Sequence, residues 1–369
     1  MTPKLVNSDQ EFKKTIEEYL SNNTVQSMFI LMAENNCCDI DYIETIIKGS
    51  TKTILGGMFP KIIFEDKLMD DGIMIIPLKF ALRTVSFDFN TSDNYCYDKM
   101  KSILTSDTHK VNTMFMFFDA LSDKKDAFVN CLFNYFGTTV RYIGSACGTS
   151  HFKHVRCVIS NAGFTQNSGV FAVSEEEISS GSSHGFQPIS SIFKVTEVED
   201  NVIKTLDWMP AFDVYNKIVN KHSNQNFTDE NFLKLSKLYP LGKTKIDGDF
   251  IIRSVIEKEG NNLKSMDLVE AGEHVLIMSA NKEQMLSATK EALNVVLTKS
   301  KVSISEDTFI FYVGCLLREL ILEDEFQEEI DIIAKKFPVY GVLSLGEIEN
   351  SGDRVLEIYN DIIALALWK

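Results

Sequence analysis

The chain has 369 residues, 52 acidic against 37 basic side chains, and a formal net charge of −15. That balance argues against nucleic acid and anionic membrane surfaces as partners, since both need clustered Lys and Arg. Hydrophobic residues at 44% with 26 Phe supply a sizeable core, and the length suits two domains or one double-lobed body. No apolar run approaches the ~18 residues of a membrane helix. The opening Met1-Thr2-Pro3-Lys4-Leu5-Val6-Asn7-Ser8 lacks the apolar stretch of a signal peptide. Seven scattered Cys without small-domain spacing read as reduced thiols, and the expected location is cytoplasmic.

Ser8-Asp9-Gln10-Glu11 is a capping box, and Phe12, Ile16, Tyr19 and Leu20 behind it predict an amphipathic helix over 9–20. Three similar stretches follow. The first runs from an apolar strand at Met28–Met32 through a helix carrying Ile40, Ile43, Ile46 and Ile47. A short strand with a Gly turn, Ile54-Leu55-Gly56-Gly57, comes next, and a strand at Gly72–Leu78 closes it. The second runs from Met114–Phe118 through a helix with Phe128, Leu132, Tyr135 and Phe136 to Val140–Gly144, then strands at Val155–Ser160 and Val170–Val173. In the third, Phe309–Val313 leads into one long helix with Leu317, Leu320, Ile330 and Ile333. It continues to Val342–Gly346 and closes with strands at Leu356–Tyr359 and Ile362–Leu367.

The fold class read from this pattern is α/β, with repeated strand-helix-strand-strand modules forming mixed sheets in two lobes. Between the second and third stretches the texture changes. Paired strands at 192–198 and 202–207 are joined by Glu199-Asp200-Asn201. Pro210 then opens a helix with Phe212, Tyr215, Ile218 and Val219. Thr228 is placed as the N-cap of a further helix with Phe232, Leu235 and Leu238. A strand at His274–Met278 precedes a helical stretch over 282–298, and the seam near residue 208 is the expected domain boundary.

Standard catalytic and nucleotide signatures are missing, and no catalytic residue is assigned. His151-Phe152-Lys153-His154 reads as a solvated loop or a partial metal site, and Cys37-Cys38 as packing or a redox pair. Cys147 sits on the turn Gly144-Ser145-Ala146-Cys147-Gly148, where backbone N–H groups could approach a ligand, or which is simply tight. In Ser179-Ser180-Gly181-Ser182-Ser183-His184-Gly185-Phe186 a small-residue run delivers a His followed by Gly and an aromatic wall. His184 could donate, accept or ligate iron.

At this segment the chain resembles the FIST family of sensory proteins. The residues that carry the likeness are His184-Gly185-Phe186-Gln187-Pro188, Val195-Thr196, and Leu206-Asp207-Trp208-Met209-Pro210-Ala211-Phe212-Asp213-Val214-Tyr215. Gly56-Gly57-Met58-Phe59-Pro60, Tyr239-Pro240-Leu241-Gly242 and Gly346-Glu347-Ile348 add to it. The resemblance implies an N-terminal helical segment over 1–26, a FIST N-type domain over 27–207 and a FIST_C-type domain over 208–369. It also implies a cytoplasmic small-ligand sensor that regulates a separate histidine kinase or cyclic-di-GMP enzyme. A subset of the family looks like haem-based nitric-oxide sensors, which makes haem the candidate cofactor and His184 its candidate iron ligand. The alternative is a sensor of an amino acid or other small metabolite. The implied ligand residues are His184, Gly185, Phe186, Gly56, Gly57, Gly144, Cys147 and Gly148. Phe186 stands where the family usually has Trp, and Ser145 and Cys147 intrude on its second Gly turn. A hydrolase or transferase with Cys147 or Ser145 as nucleophile beside His184 is the reading from a different class. Asp207 and Glu347 read as turn and cap residues.

Overall fold

The computed structural model describes residues 2–91, 111–245, 250–300, 305 and 308–368. Three βαβ units organise it. In each, a near-continuous apolar strand, a covering helix and a second strand pair in parallel, as expected of strands buried on both faces. The pairs are Ser27–Ala33 with Thr53–Phe59, Thr113–Asp119 with Arg141–Cys147, and Ile310–Cys315 with Val339–Ser344. A returning strand then lies antiparallel on the far side of the first: Ile73–Leu78, Ser168–Ser174 and Ile363–Leu367. An edge strand completes each sheet, at Lys4–Val6, Arg83–Asp88 and Ser179–Ser183. The α/β class and the threefold repetition are as the sequence predicts.

The modules are not independent, because each lends a strand to the next sheet. The first runs past Phe59 into Lys61–Phe64, which pairs with Val339–Ser344 of the third. The second runs past Cys147 to Val158–Ser160, which pairs with Thr53–Phe59 of the first. The third runs past Ser344 into Glu347–Asn350, which pairs with Arg141–Cys147 of the second. The exchange closes a ring.

Equivalent positions confirm the repetition. Phe29, Phe115 and Phe311 occupy matching places in the three first strands and meet at the centre. Ring centroids lie 5.2 Å apart for Phe29–Phe115 and 5.9 Å for Phe29–Phe311, with Trp368 5.4 Å from Phe311. The Phe-rich composition therefore fills a shared aromatic core. One residue on, Ile30, Met116 and Tyr312 face Gly56, Gly144 and Gly341 across the parallel pairs. A Cβ on those glycines would sit 1.9, 2.5 and 1.9 Å from the facing carbonyl oxygen. These glycines are mid-strand close-approach positions, which corrects the turns expected at Gly56-Gly57 and Gly144–Cys147.

Other departures have local causes. The third module's helix divides into Leu316–Leu322 and Phe326–Ala334, separated where Glu323 takes φ 51°. Leu356–Tyr359 forms no strand beyond one bridge, Glu347 to Tyr359. Thr228 caps only a local turn, its hydroxyl accepting from the Asn231 N–H, and the helix after it begins at Phe232. Asp207 and Trp208 both take positive φ, and the Asp207 carboxylate accepts from the Lys194 N–H, so Asp207 is a turn residue. Glu347 is a buried strand residue bonded to the Ser344 hydroxyl. Cys131 is disulfide-bonded, against the expectation of reduced thiols throughout.

The third module is interrupted. Between its edge strand, which ends at Ser183, and its helix Lys282–Lys299 the described residues build a separate antiparallel sheet of nine strands, with two helices and its own apolar core around Val195, Tyr215 and Val275. Among the described residues no helix is long and apolar enough to cross a membrane.

Candidate functional site

The chain leaves the three-module body at His184 and re-enters it at Lys282–Lys299, and a cavity of about 500 Å³ lies where these segments meet. Gly185 makes the departure possible. It takes φ +84°, and a Cβ there would lie 2.9 Å from the Gln284 carbonyl oxygen. Phe186 turns inward and is buried, while Gln187-Pro188 pairs with Met278-Ser279 of the inserted sheet.

Arg318 fastens this junction. It is fully buried and ion-paired to Glu329 at 2.5 Å, and the Tyr312 hydroxyl donates to the same carboxylate. Its remaining N–H groups donate to the carbonyls of His184 (3.2 Å), Met285 (3.0 Å) and Asp361 (3.4 Å). One guanidinium thus ties the exit segment, the return helix and the final strand to the third module. Arginine suits that task because its five donors form a planar fork.

The cavity walls are polar and carry both charges. Arg354 donates to Glu349 (2.7 Å) and to the Ser182 hydroxyl (3.0 Å), with its guanidinium 5.4 Å from the Tyr359 ring centroid. Glu291, on the return helix, accepts from the Ser183 hydroxyl at 2.8 Å. Gln284 and Ser287 add neutral groups from the same helix.

His184 is half-buried, and its Nδ1 accepts from the Phe186 N–H at 2.9 Å. The neutral ring therefore carries its proton on Nε2 and offers a donor. An axial haem ligand needs the opposite arrangement: a lone pair for iron on one nitrogen, with the other donating. The cavity wall mixes Ser182, Gln284, Glu291 and Arg354 with Phe186, Phe250, Tyr359 and Ile362. As placed here, with Nδ1 accepting from the Phe186 N–H, His184 does not turn a lone pair toward the cavity.

The eight expected ligand residues separate into two groups. His184, Gly185 and Phe186 line this cavity together. Gly56, Gly57, Gly144 and Cys147 lie inside buried strands, and Gly148 directly follows one. Cys147 packs against Gly57, where an added Cβ would come within 2.2 Å of its sulfur. Burial pushes the Cys147 thiol well above its ordinary range, and Ser145 is fully buried, so neither faces His184 as a nucleophile. His151 and His154 lie exposed in a loop, and no trio of metal-ligating side chains occurs among the described residues. Cys38 is buried with its thiol pushed up to about 12, chiefly by desolvation, as packing requires. Sequence reasoning missed Arg354, Glu291 and Arg318, which come from segments far apart in the chain and belong to no local motif.

The FIST N domain model matches residues 29–209, and the FIST C domain model matches residues 211–350. An uncharacterized protein of Methanocaldococcus jannaschii is 25% identical over 162 residues, which cover 42% of this chain and 30% of that protein.

Proposed function

The chain belongs to the FIST family, and on that premise we propose that it is a ligand sensor whose signal is a small zwitterionic metabolite, such as a free amino acid, held at the His184 cavity. FIST domains are associated with small-ligand sensing. The observation that carries the sharper reading is the pairing of Arg354 and Glu291 on the walls of one polar cavity. A guanidinium recognises a carboxylate through paired N–H donors, and a carboxylate recognises an ammonium group. The Nε2–H of His184 and the Gln284 amide supply further contacts, while Phe186 closes the wall behind. Output would pass to a separate histidine kinase or cyclic-di-GMP enzyme. A ligand that engages both Arg354 and Glu291 bridges the final segment and the return helix, which are the elements Arg318 holds.

A thermal-shift panel of the common amino acids and organic acids tests this. A ligand present at 100 times its Kd stabilises the fold by about 2.7 kcal/mol, a readily measured rise in melting temperature. Glu291→Gln is expected to weaken amino-acid binding at least about tenfold and leave the ligand-free melting temperature unchanged. A flat response across the panel would sink the reading. A haemin titration run beside His184→Ala separates it from the haem reading. A saturating Soret band lost in that variant, and shifted by nitric oxide, would replace the metabolite with a gas signal.

A further inference from the structure

A larger cavity, of about 880 Å³, lies on another face of the same junction. Its floor is formed where the central strands end: Glu34 after Ser27–Ala33, Pro60 after Thr53–Phe59, Ser150 beyond Arg141–Cys147, and Leu316 and Leu345 of the third module. Crevices beyond the carboxyl ends of strands are where open α/β sheets place their ligands. The inserted region supplies the roof, through Leu233, Ser236, Val255, Ile256 and Met266.

Most of the charge on these walls is already engaged. Lys61 pairs with Glu319 at 2.6 Å, and Glu34 accepts from the Ser150 backbone N–H and hydroxyl at 2.7 and 2.5 Å. Lys237 donates to the Leu320 carbonyl. Two neutral groups differ. The Ser236 hydroxyl and the Asn360 Oδ1 are buried, line the cavity and have no hydrogen-bond partner within the protein. Asn360 uses its other terminus, Nδ2, on the Tyr359 carbonyl. A buried polar atom left unpaired loses its bond to water and gains none in return, so two on one cavity wall point to an occupant that pairs with them.

We propose that this cavity is a second ligand site, taking a neutral, mainly apolar molecule with either one N–H, which donates to Asn360 Oδ1, or one O–H, which donates there and also accepts from Ser236. The apolar lining holds the body of the molecule. A charged head is disfavoured because the buried part of the wall offers no uncommitted counter-ion. The inference is independent of the His184 cavity and of the metabolite proposed there.

The probe is N-phenyl-1-naphthylamine, uncharged and apolar with a single N–H, compared with its N-methyl derivative, which lacks that donor. The protein is expected to bind the first saturably, with blue-shifted fluorescence, and the second about tenfold more weakly, as loss of one hydrogen bond to a buried acceptor predicts. Asn360→Leu should equalise the two probes. Leu317→Trp, which narrows the cavity, should abolish binding of both while leaving the amino-acid response at the His184 cavity unchanged. Ser236→Ala removes a hydroxyl that bonds nothing in the protein, so it should keep or raise the melting temperature and leave the first probe, whose diarylamine nitrogen is a poor acceptor, bound as before. Should Asn360→Leu fail to fold, the two probes on the unmodified protein together with Leu317→Trp still decide the matter. Non-saturable fluorescence, equal affinity for both probes in the unmodified protein, or undiminished binding by Leu317→Trp would overturn the proposal.

Discussion

The first and third modules share one topology and differ in what they bury. Apart from Ser27, whose hydroxyl donates to the Phe80 carbonyl, the buried side chains of the first module's central strands are apolar, from Phe29 and Ile30 to Leu55, Phe59 and Ile75. The third buries Arg318, Glu329, Glu347, Glu349, Asn360 and Asp361 beside its aliphatic core. The polar set sits where the inserted region leaves and rejoins the body. Apolar packing is enough to close a module. Fixing the orientation of an appended sheet calls for directional bonds, and a buried guanidinium with several carbonyl partners supplies them.

The strongest test of the shared topology is the facing glycines. Gly56→Ala and Gly341→Ala each put a methyl 1.9 Å from a strand carbonyl, and each should cost about 4 kcal/mol or more, or block folding. Gly144→Ala, at 2.5 Å, should cost less, about 1–3 kcal/mol. Urea midpoints measure this, and widely different results for Gly56 and Gly341 would break the equivalence.

The next largest effect is confined to the third module. Arg318→Met leaves the buried Glu329 without a counter-ion, held only by the Tyr312 hydroxyl, and should cost about 3–5 kcal/mol, most of it recovered in Arg318→Met with Glu329→Leu. Failure of the second change to rescue the first would mean that the carbonyl contacts of Arg318, and not the ion pair, hold the junction.

A smaller, pH-dependent difference should follow from Asp361. Burial pushes its carboxyl up to about 6, against hydrogen bonds from Ser254 and Cys315 and the charge of Arg318. An acid whose pKa rises on folding takes up a proton as the chain folds between about pH 4 and 6. Its contribution to stability is fully present below that window and falls by about 3 kcal/mol as pH rises through it. Asp361→Asn should flatten this slope in melting temperatures taken from pH 4 to 7. An unchanged slope would assign the titration to another group.

Much of the fold was legible because its signals are local. Continuous apolar strands at Met28–Met32, Met114–Phe118 and Phe309–Val313 with helical periodicity behind them fixed the modules, and the His184-Gly185-Phe186 segment marked the junction cavity. What stayed hidden is long-range. Gly56 and Gly144 read as turns because a glycine required by a facing strand looks the same in sequence as one required by a bend. The strand exchange pairs Ile63 with Gly341 and Ile348 with Gly144, and no local pattern reports such partners. Arg354 and Glu291 carry no motif and gain meaning only when the cavity assembles.

The ring of lent strands sets a timetable for biosynthesis. Lys61–Phe64 leaves the ribosome early, yet its partner strand begins at Val339. At ~5–20 residues per second that wait is roughly 15–55 s. Throughout it the nascent chain carries an apolar hairpin with an unpaired edge, the kind of surface that holdase chaperones cover. Closure of the ring therefore has to wait until synthesis has passed Asn350.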